Sequence, residues 1–280
     1  MSTPTELIKK YDIKAKKNLG QNFLIEPSII DKIVKLLEID YKDTILEIGP
    51  GLGALTYRLT EFPNRLIAIE KDSSLYEILQ LEFNDKKNVE IINQDILKID
   101  LAKLAKGKIK IVGNLPYNIS SPIIFWMIKF REHIDTATIM LQKEVGRRLT
   151  APSGNKDYGI LSVICQAWAD CKMCFNIPPS CFNPPPKVTS SIVKLKFRKP
   201  SIDLKDPVLF ERVVSSAFGK RRKTIVNSIK SSNLEISETA LLSALKGLGI
   251  SEKSRAEVLS SKQFIELTNA LSDLDKRNAC

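Results

Sequence analysis

A single histidine, His133, stands among 280 residues, in the polar stretch Lys129 to Asp135. Imidazole is the ordinary proton shuttle near neutral pH and the commonest metal ligand. Its scarcity argues against a hydride-transfer site and against a zinc centre. Five cysteines do not reverse this. Cys171-Lys172-Met173-Cys174 has the form of a redox or zinc pair, but Cys165 and Cys181 fall at irregular spacing with no histidine near them. Unpaired thiols in a reducing compartment, and no metal, are expected. Apolar runs are short as well: none approaches the roughly 18 residues of a membrane helix. Residues 1–12 carry Glu6 and Asp12 without a long apolar core, so no signal peptide is expected and the location is expected to be cytoplasmic.

Acidic residues are in the minority. Asp and Glu number 32 against 43 Lys and Arg, a formal charge of +11. That exceeds what solubility requires and points to a polyanionic partner. The hydrophobic fraction, 43%, is ordinary, and the length allows one sizeable core with a smaller unit beside it.

Short apolar runs at 44–48, 66–69, 89–92, 109–112 and 136–141 alternate with helix-length segments, the first of them 27–37 with apolar residues at helical spacing. The alternation predicts an α/β fold, a doubly wound, mostly parallel sheet with helices on both faces. Two further strands are expected at 160–168 and 191–197. The second alternates apolar and basic residues, as a half-exposed antiparallel edge strand does. Residues 198–205 read as a linker. Beyond them only helical signals occur: Asp206-Pro207 as cap and first position, a leucine stripe from Leu241 to Leu248 ending at Gly249, and capping-box forms at Ser254–Glu257 and Ser260–Gln263. A domain of residues 1–200 with a basic N-terminal arm and a small helical domain of residues 201–280 are expected.

Two motifs carry chemistry. Glu47-Ile48-Gly49-Pro50-Gly51-Leu52-Gly53 follows the first strand, and Asn114-Leu115-Pro116-Tyr117 follows the fourth. A strand, a glycine-rich turn and a helix start form a nucleotide site, because small residues let backbone N–H groups approach the ligand. Glu70, ending the second strand, is placed to accept from ribose hydroxyls. Asp95, just past the third, can accept from an adenine amine. The glycine spacing differs from the G-x-G-x-x-G of dinucleotide enzymes, so NAD is the weaker alternative. Asn114 Oδ1 and the Leu115 carbonyl can accept both hydrogens of an exocyclic amine and direct its lone pair at a methyl carbon. Pro116 shapes this loop. Tyr117 is expected to stack on the ring, with Phe182 on its other face.

Asn22-Phe23-Leu24, the glycine turn, Glu70-Lys71-Asp72, Asn114 to Ser120 and Phe182 to Val188 together resemble the rRNA adenine N6,N6-dimethyltransferases, most closely the bacterial small-subunit rRNA branch. Relatives acting on large-subunit rRNA usually carry Ile at the position of Leu115. The resemblance implies a Rossmann-like methyltransferase domain. It also implies transfer of two methyl groups from S-adenosylmethionine to each of two adjacent adenosines near the 3′ end of 16S rRNA, in an immature 30S particle, by a monomer. Residues matching Asn22, Leu24, Gly49, Gly51, Glu70, Asp95 and Asn114 would line the cofactor. Lys14, Lys16, Lys17, Lys220, Arg221, Arg222 and Lys223 would contact RNA phosphates. Two other readings stand beside it: a non-catalytic ribosome assembly factor on the same fold, and a protein glutamine N-methyltransferase, whose smaller planar amide fits the aromatic pair less well.

Overall fold

The computed structural model describes residues 3–62, 65–104, 107–220 and 222–278, except the side chains of Lys17 and of residues 274–278. The strands are β1 (Phe23–Leu24), β2 (Thr44–Ile48), β3 (Arg65–Glu70), β4 (Val89–Asn93), β5 (Ile109–Asn114), β6 (Ile134–Gln142), β7 (Ala169–Ile177), β8 (Phe182–Asn183) and β9 (Ser190–Phe197). The helices are α1 (Pro4–Lys10), α2 (Pro27–Leu36), α3 (Ala54–Leu59), α4 (Ser73–Glu82), α5 (Leu101–Leu104), α6 (Ser120–Lys129), α7 (Lys143–Thr150), α8 (Ile160–Trp168), α9 (Pro207–Phe218), α10 (Ile225–Lys230), α11 (Glu238–Gly247) and α12 (Ser261–Asn278). The chain divides into two compact units, Met1–Gly146 with Asp170–Phe197, and Arg147–Ala169 with Arg198–Cys280.

The first unit holds a seven-stranded sheet in the order β4-β3-β2-β5-β6-β9-β7. Pairing from β4 through β6 is parallel, and β6 pairs with β9 antiparallel. Branched apolar residues in β2, β3, β5 and β6 are buried, as strands covered on both faces require. The chain winds outward from β2 through β3 to β4, then crosses back to β5 on the other side. A crevice therefore opens beyond the carboxyl ends of β2 and β5, the ligand position of doubly wound sheets. Gly113 allows those two strands to meet closely: a Cβ there would lie 2.5 Å from the Ile48 carbonyl oxygen.

Residues 160–168 form a helix, not the expected strand, and group with the second unit. Ser162, Val163, Ile164, Cys165, Ala167 and Trp168 are all buried. The only polar residues of this segment, Ser162 and Gln166, stand four apart as on a helix, but in so short and apolar a run two residues do not separate helix from strand. Strand β9 is antiparallel as expected, but it lies inside the sheet. Its basic residues have another cause: Lys194 Nζ bonds the Leu36 carbonyl at 2.8 Å and the Glu38 carboxylate at 3.0 Å, closing the end of α2. The strand at this edge is β7, where Cys171 and Cys174 are partly exposed thiols.

In the second unit α9 starts at Asp206, whose side chain accepts from the Leu209 N–H. Ser260 and Gln263 exchange hydrogen bonds at the head of α12. Ser254–Glu257 instead precedes only a single 3-10 turn, Ala256–Val258, without a side-chain cap. Phe210 and Phe264 are fully buried, and the Phe218 ring lies 5.9 Å from that of Phe264.

Among the described residues no helix is long and apolar enough to cross a membrane, and no three His, Cys, Asp or Glu side chains gather as metal ligands.

Candidate active site

The glycine turn after β2 is built from left-handed backbone. Gly49 and Gly51 have φ of 66° and 61°, values that cost a side-chain-bearing residue about 1 to 2 kcal/mol. At Gly51 a Cβ would also come within 3.2 Å of the Phe23 ring. The turn feeds α3 and leaves backbone facing an open cleft. Asn22, Leu24, Gly49, Gly51, Glu70, Asp95, Asn114 and Pro116 all line this cleft, so the expected cofactor residues converge.

Glu70 is 6% exposed. Its Oε2 accepts from the Gly51 N–H at 3.1 Å and its Oε1 from the Asp72 N–H at 2.8 Å. Burial raises its pKa, while these two N–H groups oppose the rise. Each carboxylate oxygen keeps a further lone pair for a ligand hydroxyl. Asp95 accepts from the Leu97 N–H at 3.0 Å and pairs with Lys71 Nζ at 2.8 Å. Burial works to raise its pKa, but the Lys71 ammonium and the Leu97 N–H hold it below the usual carboxylate range. Glu47, at the foot of the turn, is 1% exposed and accepts from Thr56 Oγ1 at 2.7 Å. Burial, with the nearby Glu70 charge, pushes its carboxyl up to about 7.

Asn114 ends β5 facing the cleft. Its Nδ2 donates to the Asn22 carbonyl at 2.8 Å. Only the nitrogen of the amide can serve a carbonyl, so Oδ1 is left as an acceptor. The Leu115 N–H is held by the Met140 carbonyl at 3.2 Å. Leu115 itself is buried, which leaves its backbone rather than its side chain for chemistry. Tyr117 is half-buried, and its hydroxyl lies 2.6 Å from Ser190 Oγ. Burial pushes that phenol above its ordinary pKa.

Phe182 departs from expectation. It pairs with Leu24 across the β1–β8 ladder, is 3% exposed and packs in the core with Leu24, Ile177 and Ile192. The aromatic surface expected to stack on a base is spent inside the core. Lys16 departs too: its Nζ is 2.7 Å from the buried Asp72 carboxylate. Lys14 is exposed, as are Lys220, Arg222 and Lys223 in the connection between α9 and α10. The Lys17 side chain and Arg221 lie outside the described residues. Gln21, Gln94 and Ile96 also line the cleft and were not anticipated, since nothing in their local sequence separates them from other loop residues.

Residues 12–273 match the family model described as ribosomal RNA adenine dimethylase. The chain is 38% identical over 273 residues to the ribosomal RNA small subunit methyltransferase A of Alkaliphilus oremlandii, covering 95% of each protein. It is 42% identical over 265 residues to the protein of that name from Caldanaerobacter subterraneus subsp. tengcongensis, covering 92% of this chain and 98% of the relative. Among solved structures, a dimethyladenosine transferase from Plasmodium falciparum matches with TM-score 0.78 and 28% identity, covering 91% of this chain and 98% of that one. The 23S rRNA methyltransferase ErmE matches with TM-score 0.70 and 25% identity, covering 90% of this chain and all of that one.

Proposed function

The chain belongs to the ribosomal RNA adenine dimethylase family, and we propose that it dimethylates N6 of two adjacent adenosines near the 3′ end of small-subunit rRNA during subunit maturation, with S-adenosylmethionine as methyl donor. The observation that carries this reading is the Asn114 amide, turned by the Asn22 carbonyl so that Oδ1 is the acceptor beside a nucleoside-shaped cleft.

The donor set suits S-adenosylmethionine. Glu70, a buried carboxylate with spare lone pairs, would hold the ribose hydroxyls, and Asp95 the adenine amine. Leu24 and Ile96 supply apolar wall. When bound, the cofactor supplies a methyl carbon that is already electrophilic, so the protein's task is alignment. Asn114 Oδ1 and the Leu115 carbonyl accept the two N6 hydrogens of the target adenine. The amine nitrogen then pyramidalises and its lone pair leaves conjugation with the ring. No general base acts before attack, because the proton departs only after the nitrogen has become cationic. The Tyr117 ring, anchored through its hydroxyl to Ser190, offers a face for the flipped base. Lys14, Lys220, Arg222 and Lys223 are the proposed phosphate contacts, which position an RNA without reading its sequence.

The deciding experiment incubates immature small subunits with the protein and labelled S-adenosylmethionine, followed by mass spectrometry of the nucleosides. Dimethyladenosine at two adjacent positions is expected. Label in protein alone would support the glutamine reading, and particle binding without label a purely assembly role.

A further inference from the structure

Lys16 reaches back toward the protein rather than outward. Its Nζ lies 2.7 Å from Asp72 Oδ1 and 3.2 Å from Ser74 Oγ. Gln21 Nε2 donates to the other carboxylate oxygen, Asp72 Oδ2, at 2.8 Å, and Gln21 Oε1 accepts from the Lys16 backbone N–H at 2.8 Å. Lys16, Gln21 and Asp72 thus close a ring of hydrogen bonds between the N-terminal arm and the residue two beyond Glu70. Asp72 is only 5% exposed, and charge-assisted bonds in such surroundings are the stronger kind.

The segment held this way has little to support itself. It contains one short 3-10 turn, Lys17–Leu19, and the two-residue strand β1; so little regular structure is not stable alone. Yet Asn18, Leu19, Gly20, Gln21, Asn22 and Leu24 form a wall of the cofactor cleft. The Asn22 carbonyl in that wall orients the Asn114 amide.

We propose that Asp72 is a positioning residue for methyl transfer: with Lys16 and Gln21 it clasps the segment 16–24 against the cofactor cleft and, through the Asn22 carbonyl, keeps Asn114 Oδ1 turned to the substrate amine. This rests on the reading of Asn114 given above. A free segment would let the cofactor wall open and the Asn114 amide rotate, so cofactor affinity and methyl transfer would fall together.

The test uses Asp72→Asn, Lys16→Ala, their double variant and Lys16→Arg in the intact protein. Asp72→Asn keeps an acceptor for the Ser74 N–H, the cap of α4, but loses the charge that holds Lys16. Lys16→Ala opens the clasp and leaves the cap of α4, the Asp72 carboxylate on the Ser74 N–H, in place, losing besides the ion pair only the bond to Ser74 Oγ. The readouts are the calorimetric Kd for S-adenosylmethionine and the single-turnover methylation rate on immature small subunits at saturating cofactor. Each single variant should weaken the Kd and lower the saturated rate by about tenfold, with the double variant no worse than Asp72→Asn alone, because Asp72→Asn already removes the ion pair that Lys16→Ala deletes, together with the oxygen that accepts from Gln21. Lys16→Arg should stay within about twofold of the parent, since the ion pair survives. A role confined to capping α4 would lower the melting temperature and leave the saturated rate of folded protein intact. A parent-like rate in folded Asp72→Asn, or effects that multiply in the double variant, overturns the clasp. Asn114→Ala in the same assay keeps the two readings apart. If that variant retains its rate, the alignment reading has failed, and the clasp is then decided by the cofactor Kd alone.

Discussion

Replacing Asn114 by alanine removes two interactions that the geometry separates. One is the Oδ1 acceptor, which in the proposed mechanism is required only as the substrate amine pyramidalises. Deleting a preorganised polar contact of that kind costs about 2.7 to 4 kcal/mol, or about 10² to 10³ in rate. The other is the 2.8 Å bond from Nδ2 to the Asn22 carbonyl. That bond exists in the resting protein, and its loss is worth about 0.5 to 1.5 kcal/mol. It acts on the cleft wall and so on cofactor affinity, raising the Kd by at most about tenfold. Single-turnover methylation of immature small subunits with saturating S-adenosylmethionine isolates the first effect, and calorimetry measures the second. Subunit binding should persist, because phosphate contacts dominate it. A saturated rate within about threefold of the parent would show that Asn114 does not align the amine, the order of magnitude above leaving no room for so small a change. Tyr117 would then be the next group to test.

Tyr117→Phe keeps the ring but leaves Ser190 Oγ, in a fully buried side chain, without its partner; stability in urea should fall by about 1 to 3 kcal/mol with the rate held within about fivefold. A hundredfold rate loss would give the hydroxyl a part in the chemistry. For Glu47, the folded pKa is raised from 4.5 to about 7, so the native state keeps a proton that the unfolded chain has released. Stability should therefore decline as pH rises through that window and level off above it. Glu47→Gln carries the neutral form throughout, and should be roughly 2 to 3 kcal/mol more stable than the parent at pH 8 and equal to it near pH 4 in urea titrations; equal stability at pH 8 refutes the burial argument. Arg222→Ala with Lys223→Ala should weaken subunit binding and flatten its salt dependence by about two phosphate contacts, without altering cofactor affinity. An unchanged slope would mark these residues as an ordinary solvated face.

The parallel strands were legible in the sequence because each is an apolar run bounded by turn residues, and β2, β3, β5 and β6, buried on both faces, need nothing else. The runs at 44–48 and 109–112 lie within a strand or coincide with one. The glycine turn and the Asn114 loop were legible for a related reason: left-handed backbone and an amide beside a proline are local requirements, written in adjacent residues. Strand β7 and helix α8 were not, since the apolar content of 160–168 has no distinguishing period and β7 mixes buried and exposed positions. Asp72 shows the limit most clearly. In the sequence it is only the last residue of the Glu70-Lys71-Asp72 motif; in the structure it caps α4, accepting from the Ser74 N–H. Its partners Lys16 and Gln21 lie more than fifty positions away, and an ion pair or hydrogen bond leaves no periodic trace in either segment. Lys16 therefore read as an RNA contact and Phe182 as a stacking ring, because charge and aromaticity are properties of a residue. Whether each faces solvent, ligand or core is decided by the sheet order and by what packs beside it.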